Sequence, residues 1–205
     1  MVKLCMSVIK YTKDGAGALL RQACAVLNNG GIVAYPTESF YALGVCALKE
    51  EALNRLYELK KRPYEKPLPL IVDTEETLQR IARVVPKEAR EYMGKYWPGP
   101  LTIIFEAFEG ISTMLTAGTG SIAVRIPGEG PALQLVRSIK EPLTATSANP
   151  SSLPPADSAE MVRSYFGDTI DMVIDGGMTS GGLPSTIIDL RSGILKVLRQ
   201  GRVEL

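Results

Sequence analysis

Histidine is absent from this chain. Its absence removes the side chain most suited to proton transfer near neutrality, and with it Ser/His/Asp and Cys/His nucleophile systems and every histidine metal site. Cysteine is scarce. Cys5, Cys24 and Cys46 are too few and too scattered for a disulfide framework or a zinc knuckle, and an odd count fits a reducing cytosol better than secretion. No apolar run approaches the ~18 residues of a membrane span. The opening MVKLCMSVIKYTKDG has only a weak apolar run and no small-residue cleavage pattern, so it is not read as a signal peptide. A cytoplasmic protein without membrane contact is expected. Net charge is nearly missing too: 23 Lys and Arg against 22 Asp and Glu leave a formal +1, so no overall field draws the chain to nucleic acid or anionic lipid. Chemistry here must rest on cations, hydroxyls, carboxylates and backbone dipoles, and any pull on anions must be local.

What is present is an ordinary globular balance, 45% hydrophobic and 22% charged over 205 residues, enough for one substantial core or at most two small ones. Residues 16–28, AGALLRQACAVLN, carry apolar side chains at helical spacing, and Asn29-Gly30-Gly31 stops them. IVAY, ended by Pro36, has the form of a short buried strand. Residues 49–61 are helical, with Leu53, Leu56, Tyr57 and Lys60 on one side. LPLIV is extended, and DTEE has the capping-box form opening a helix through about Val84. Pro86 opens the next helix, where a missing N–H costs nothing. LTIIFEA and SIAVRI are strands flanking a loop or short helix, and GPALQLVRSI is helical. PLTAT is extended, and Asp157 with Glu160 caps a helix closed by Gly167. DMVID, STIIDL and ILKVLR are strands, the last two joined by a turn at Arg191-Ser192-Gly193. Strands and helices interleave with no linker, repeat or low-complexity segment, so a single α/β domain over 1–205 is expected.

Several polar stretches interrupt this pattern. YELKKRPYEKPLPLIV concentrates Lys60, Lys61, Arg62 and Lys66 where Pro63, Pro67 and Pro69 stiffen the chain. Cations at a helix exit meet the negative end of its dipole for ~0.3–1 kcal/mol each. Alternatively, they clamp a polyphosphate, Arg62 as a two-pronged fork and Lys60 and Lys66 as movable point charges. PTESFYALG places Thr37, Glu38, Ser39 and Tyr41 just after a buried strand, where they either satisfy their own turn or bind a ligand. TATSANPSSLPP offers Thr144, Thr146, Ser147 and Asn149 before a proline-rich turn, again as self-bonded turn or as contacts to phosphate, ribose or base. Arg125 interrupts the apolar strand SIAVRIP, where it pairs with a protein carboxylate or awaits an anionic ligand. No glycine-rich nucleotide loop is present: GGMTSGG lacks the ending of a P-loop, and no GxGxxG follows a strand.

Taken in order, GGIVAYPTESFYALG, LKKRPYEKPLPLIV, YWPGPLTIIF, SIAVRIP, TATSANPSS, PSTIIDL and VLRQG closely resemble the YrdC/TsaC family of L-threonylcarbamoyladenylate synthases, from about Ala16 to Gly201. The most specific elements are the K-x-R of Lys60–Arg62 and the S-x-N of Ser147–Asn149. The resemblance implies a twisted mixed α/β fold around a large, positively charged cavity. It implies that L-threonine, bicarbonate and ATP, with Mg²⁺, give threonylcarbamoyl-AMP and pyrophosphate. The product would supply the N6-threonylcarbamoyl group of adenosine 37 in tRNAs reading ANN codons, through partner machinery of the TsaD type. By position, Lys60, Arg62, Lys66, Ser121, Ser147, Asn149 and Arg199 resemble the ATP ligands, with Lys60, Arg62, Ser147 and Asn149 as the catalytic group. Thr37, Ser39, Arg125, Ala145 and Ser185 resemble the threonine set. Neither metal ligands nor a general base can be named.

Ala42 stands where relatives usually carry glycine, Ser152 replaces a common glycine, and Pro155 replaces a hydroxyl residue. A YciO-type branch also shows the YALG form but with degraded K-x-R and S-x-N positions; both are intact here, which favours the synthase. An RNA-binding module, contacting tRNA or double-stranded RNA through the same cations, is the reading from another class. The extra C-terminal domain of the longer family branch is not expected.

Overall fold

The computed structural model describes residues 6–205, so Cys5 and the residues before it lie outside the description. Strands and helices alternate as expected, and the strands form two mixed sheets. The first contains β1 (Ser7–Lys10), β2 (Val33–Pro36), β3 (Tyr41–Gly44), β8 (Thr146–Ser147) and β9 (Met172–Asp175), in the order β1-β9-β2-β3-β8. The second contains β4 (Leu70–Ile71), β5 (Leu101–Glu106), β6 (Ser121–Arg125), β7 (Leu143–Thr144), β10 (Thr186–Asp189) and β11 (Lys196–Arg199), in the order β11-β10-β5-β6-β4-β7. Strand β5 lies at its centre, parallel to β10 and antiparallel to β6.

Helix α1 (Ala16–Asn28) buries Leu19, Leu20, Ala23 and Leu27, the stripe that its spacing predicts. With α6 (Pro131–Ile139), which contributes Leu133 and Val136, it covers Val33 and Ile174 of the first sheet. Helix α2 (Glu50–Lys60) drives Leu53, Leu56 and Tyr57 into the larger core beside Leu43, Leu70, Ile103 and Phe105. Each such side chain contributes roughly 1.5–3 kcal/mol on leaving water, so the inner face of α2 is committed to the core while Glu51, Asn54, Arg55 and Glu58 on the other face stay exposed. No helix among the described residues is long and apolar enough to cross a membrane.

The structure corrects several local expectations. The helix expected through about Val84 is only α3 (Glu75–Gln79), because the chain leaves it to pair with the end of β5: Arg83 N–H donates to Glu106 O at 2.9 Å and Ala82 bridges Ala107. Its cap is Thr74, accepting from Thr77 N–H, while Asp73 accepts from the Thr77 hydroxyl. Likewise Ser158, not Asp157, caps α7 (Ala159–Phe166) through Met161 N–H. In both places the capping oxygen sits one residue later than the sequence pattern indicates. Pro86 is the N-cap of α4 (Lys87–Tyr96) rather than its first residue. YALG, read as the sequel of a loop, is strand β3, paired antiparallel with β2. The turn between them closes when Thr37 N–H and Oγ1 both donate to Phe40 O, at 3.0 and 2.7 Å.

Candidate functional site

A cavity of about 470 Å³ opens where the two sheets meet. Its floor is one face of the second sheet. Residues two apart on a strand point the same way, which accounts for Thr102 and Ile104 of β5, Ala123 and Arg125 of β6, and Ile187 of β10 with Ser185 just before that strand. The facing wall comes from the β2–β3 turn (Thr37, Ser39) and from β3 and β8 (Ala42, Thr146, Ser147), with Arg62 and Pro67 in the lining and Leu198 and Arg199 of β11 beside them. Among the described residues the lining thus includes Arg62, Arg125 and Arg199 and no Asp or Glu.

Each arginine is held differently. Arg62 donates from Nε to Lys66 O at 3.1 Å and from Nη2 to Pro67 O at 2.9 Å, so the proline-stiffened turn folds back onto the side chain it follows. Tyr57 braces the same turn, its hydroxyl on Lys66 O and Met114 O and its ring stacked on Tyr64 at 4.8 Å. Burial pulls the Arg62 guanidinium below its ordinary pKa, with Tyr57 opposing. Arg199 donates to Ser185 O and Oγ; burial, and then the neighbouring charge of Arg125, lower its pKa. Arg125, left between two readings by the sequence, is paired: both oxygens of Glu38 accept from its Nη1. The remaining Arg125 contact, to Gly99 O at 3.5 Å, also uses Nη1, so among the described residues Nε and Nη2 have no partner. Burial alone would raise the Glu38 carboxyl, but Arg125 and the backbone amides of Glu38 and Gly128 outweigh it and hold it below the carboxylate norm.

Lys60 is not in the cavity. It is 1% exposed, on the side of α2 that carries Leu53, Leu56 and Tyr57, and its ammonium donates to Ser147 O, to Asn149 O at 2.7 Å and to Asn149 Oδ1 at 3.4 Å. Burial, then the nearby Arg62 charge, lower its pKa to about 7, while the oxygen acceptors favour the ammonium. Asn149 accepts from the Ser147 hydroxyl at 2.5 Å and donates to Leu153 O. Lys60 and Asn149 therefore stand behind Ser147 and shape the loop that presents it.

Of the residues singled out from sequence, the cavity brings together Thr37, Ser39, Tyr41, Arg62, Arg125, Ala145, Thr146, Ser147, Ser185 and Arg199. The backbone N–H of Ala145 is already spent on Pro69 O at 2.8 Å. Lys66 is exposed outside the lining. Ser121 lies on the cavity face of β6, one alternation beyond Ala123, and its hydroxyl pairs with that of Thr119 at 2.8 Å. Thr102 was missed; the polar residue on the inner face of LTIIFEA was the available sign. The link from Glu38 to Arg125 spans 87 positions and left no local trace. Among the described residues no group of three or more Cys, Asp or Glu side chains is placed to hold a metal ion.

The Sua5/YciO/YrdC family model, described as telomere recombination, matches residues 25–201. A threonylcarbamoyl-AMP synthase of Pyrococcus abyssi is 38% identical over 186 residues, which cover 91% of this chain and 55% of the relative. A threonylcarbamoyl-AMP synthase of Thiobacillus denitrificans is 40% identical over 175 residues, covering 85% of this chain and 92% of that protein. The crystal structure of P. abyssi Sua5 complexed with L-threonine matches with a TM-score of 0.89 at 36% identity, over 96% of this chain and 57% of that one. The chain thus spans about half the length of the P. abyssi relative and of a Bacillus subtilis one.

Proposed function

The chain belongs to the Sua5/YciO/YrdC family, and we propose that it is an L-threonylcarbamoyladenylate synthase whose cavity holds ATP and L-threonine side by side. One observation carries this reading: Arg62, Ser147 and Arg125, which come from different parts of the fold, line one hollow. Its volume of about 470 Å³ lies within the range of small-molecule sites.

Arg125 takes the threonine carboxylate through the guanidinium edge that Glu38 leaves open, with Thr37, Ser39, Ser185 and the Ala145 backbone around the rest of the amino acid. Arg62 and Arg199 take the phosphates, and Lys66 and Ser121 join from beyond the cavity lining. Ser147 contacts the nucleotide, and Lys60 and Asn149 keep it in place. Bicarbonate loses water to give CO₂, and threonine's neutral amine adds to its carbon, the N–H proton passing to solvent or to the substrates, to form a carbamate. A carbamate oxygen attacks the α-phosphorus as the bond to the β-phosphate oxygen breaks, and pyrophosphate departs. Most of the help required is juxtaposition of two anions and neutralisation of the departing charge, which arginines supply without histidine. Among the described residues no acidic cluster stands ready to cage a metal ion, and Mg²⁺ would come with ATP as part of the substrate. The product passes in the cytoplasm to TsaD-type machinery that modifies adenosine 37 of tRNA.

The test is incubation of the protein with labelled threonine, bicarbonate, ATP and Mg²⁺. Threonylcarbamoyl-AMP and pyrophosphate should form together and only when every substrate is present. ATP consumption indifferent to threonine, or tight RNA binding without pyrophosphate release, would replace the synthase with the RNA-binding reading.

A further inference from the structure

Ser185 does not face the cavity alone. Thr102 also lines it, and its Oγ1 stands 2.8 Å from Ser185 Oγ. Register explains the meeting. Strand β5 runs between β6 and β10, pairing Ile103 with Val124 and Thr102 with Ile187. One further step along the antiparallel ladder sets Thr102 across from Arg125, while on its other side Ile187 lies two residues after Ser185. A buried hydroxyl, 3% exposed, therefore sits between the residues proposed to receive the amino acid, in a strand otherwise made of Leu101, Ile103, Ile104 and Phe105 on the way to Glu106. Packing alone would be served as well by valine.

Counting protons gives this hydroxyl a task. Arg199 Nη2 donates to Ser185 Oγ at 3.1 Å, so that oxygen already accepts one bond. The hydroxyl pair owns two protons, and one is consumed between the two oxygens. Whichever oxygen donates, the other keeps its proton. Among the described residues no further hydrogen bond joins either hydroxyl to an acceptor. The pair consequently offers one O–H donor to the cavity, on the same face of the sheet as the Arg125 guanidinium.

We propose that Thr102 is a further substrate-binding residue: Ser185, whose Oγ already accepts from Arg199, donates its own O–H to Thr102 Oγ1, and the Thr102 O–H donates a hydrogen bond to the carboxylate that Arg125 holds. The inference rests on the synthase reading of the cavity and names a contact within it. Thr102→Val keeps the shape and removes the hydroxyl; Thr102→Ser keeps the hydroxyl and removes the methyl. Threonine binding by calorimetry should weaken roughly ten- to hundredfold in Thr102→Val, as for a lost hydrogen bond to a charged group. Thr102→Ser should bind close to wild type, and the ATP KM should stay unchanged in both. Undiminished threonine binding by Thr102→Val, equal loss in Thr102→Ser, or a matching rise in the ATP KM overturns the proposal. Should Thr102→Val fail to fold, Thr102→Cys, similar in size with only a weak donor, carries the same comparison. Wild-type protein that binds no threonine removes the synthase reading and this contact together. Wild-type binding that Thr102→Val retains removes the contact alone.

Discussion

Glu38 holds Arg125 by a single nitrogen. Both carboxylate oxygens accept from Nη1, at 2.9 and 2.8 Å, and Oε1 also accepts from the backbone N–H of Gly128. The Arg125 and Glu38 side chains are 11% and 21% exposed, so the pair is largely out of water and its geometry is firmly set. An arginine gripped this way keeps its other edge directed and unspent.

Glu38→Gln should therefore weaken threonine more than ATP. A glutamine can still accept from Arg125, but it removes the counter-charge, and its amide cannot satisfy Gly128 N–H and Arg125 together in every orientation. The threonine KM should rise on the order of tenfold, about what one charge-assisted bond is worth. Steady-state pyrophosphate release with each substrate varied in turn checks this; parallel changes in both KM values would mean that Glu38 serves only the fold.

Arg62→Lys separates charge from shape. Lysine keeps the positive charge but cannot span Lys66 O and Pro67 O as Arg62 Nε and Nη2 do. The expected outcome is an ATP KM raised about tenfold or more with threonine binding nearly intact. A fully active Arg62→Lys protein would show that point charge suffices there.

Lys60 leaves a signature in the pH dependence of stability. Its pKa falls from 10.5 to about 7 on folding, so the unfolded chain binds the proton more tightly. Below about 7 both states carry the proton and the full destabilisation is present; it is relieved as pH rises from about 7 towards 10.5. Lys60→Met should flatten that rise in urea-denaturation midpoints. It should also lower stability by about 1–3 kcal/mol for each carbonyl left bare around Ser147 and Asn149. An unchanged slope would mean that Lys60 titrates as an ordinary amine.

Gly201 is the position where one methyl group would do most damage. A Cβ there would lie 2.2 Å from Pro184 O, 2.5 Å from Ser185 C and 2.6 Å from Thr186 N, all backbone atoms that cannot rotate away. Gly201→Ala should cost about 1–3 kcal/mol or more and displace Ser185 with the start of β10. Thermal unfolding and threonine affinity should both decline; a normal melting temperature would contradict the tight approach.

Local chemistry made much of this legible. Helix α1 runs over Ala16–Asn28 as its periodicity requires, because burial of one stripe and an Asn-Gly-Gly stop are decided within the segment itself. The β10–β11 hairpin follows equally from its turn. Lys60 shows how one sequence can carry two messages: its spacing put it with Leu53, Leu56 and Tyr57, its charge put it with Arg62, and the spacing prevailed. Strand β3 was opaque, since four residues become a strand only when β2 and β8 lie on either side. Helix α3 was overextended because a distant β5 carbonyl captured Arg83.

Sequence by itself determined that any chemistry here is histidine-free, and it set the alternation of strands with amphipathic helices, since composition and spacing are properties of the chain before it folds. Only tertiary structure decided which cations line the cavity. Glu38 reaches Arg125 across 87 positions, Thr102 reaches Ser185 across 83, and Lys60 turns inward to Ser147 and Asn149. Those contacts depend on sheet register and on which face of each strand the core claims, and register exists only once the strands have found one another.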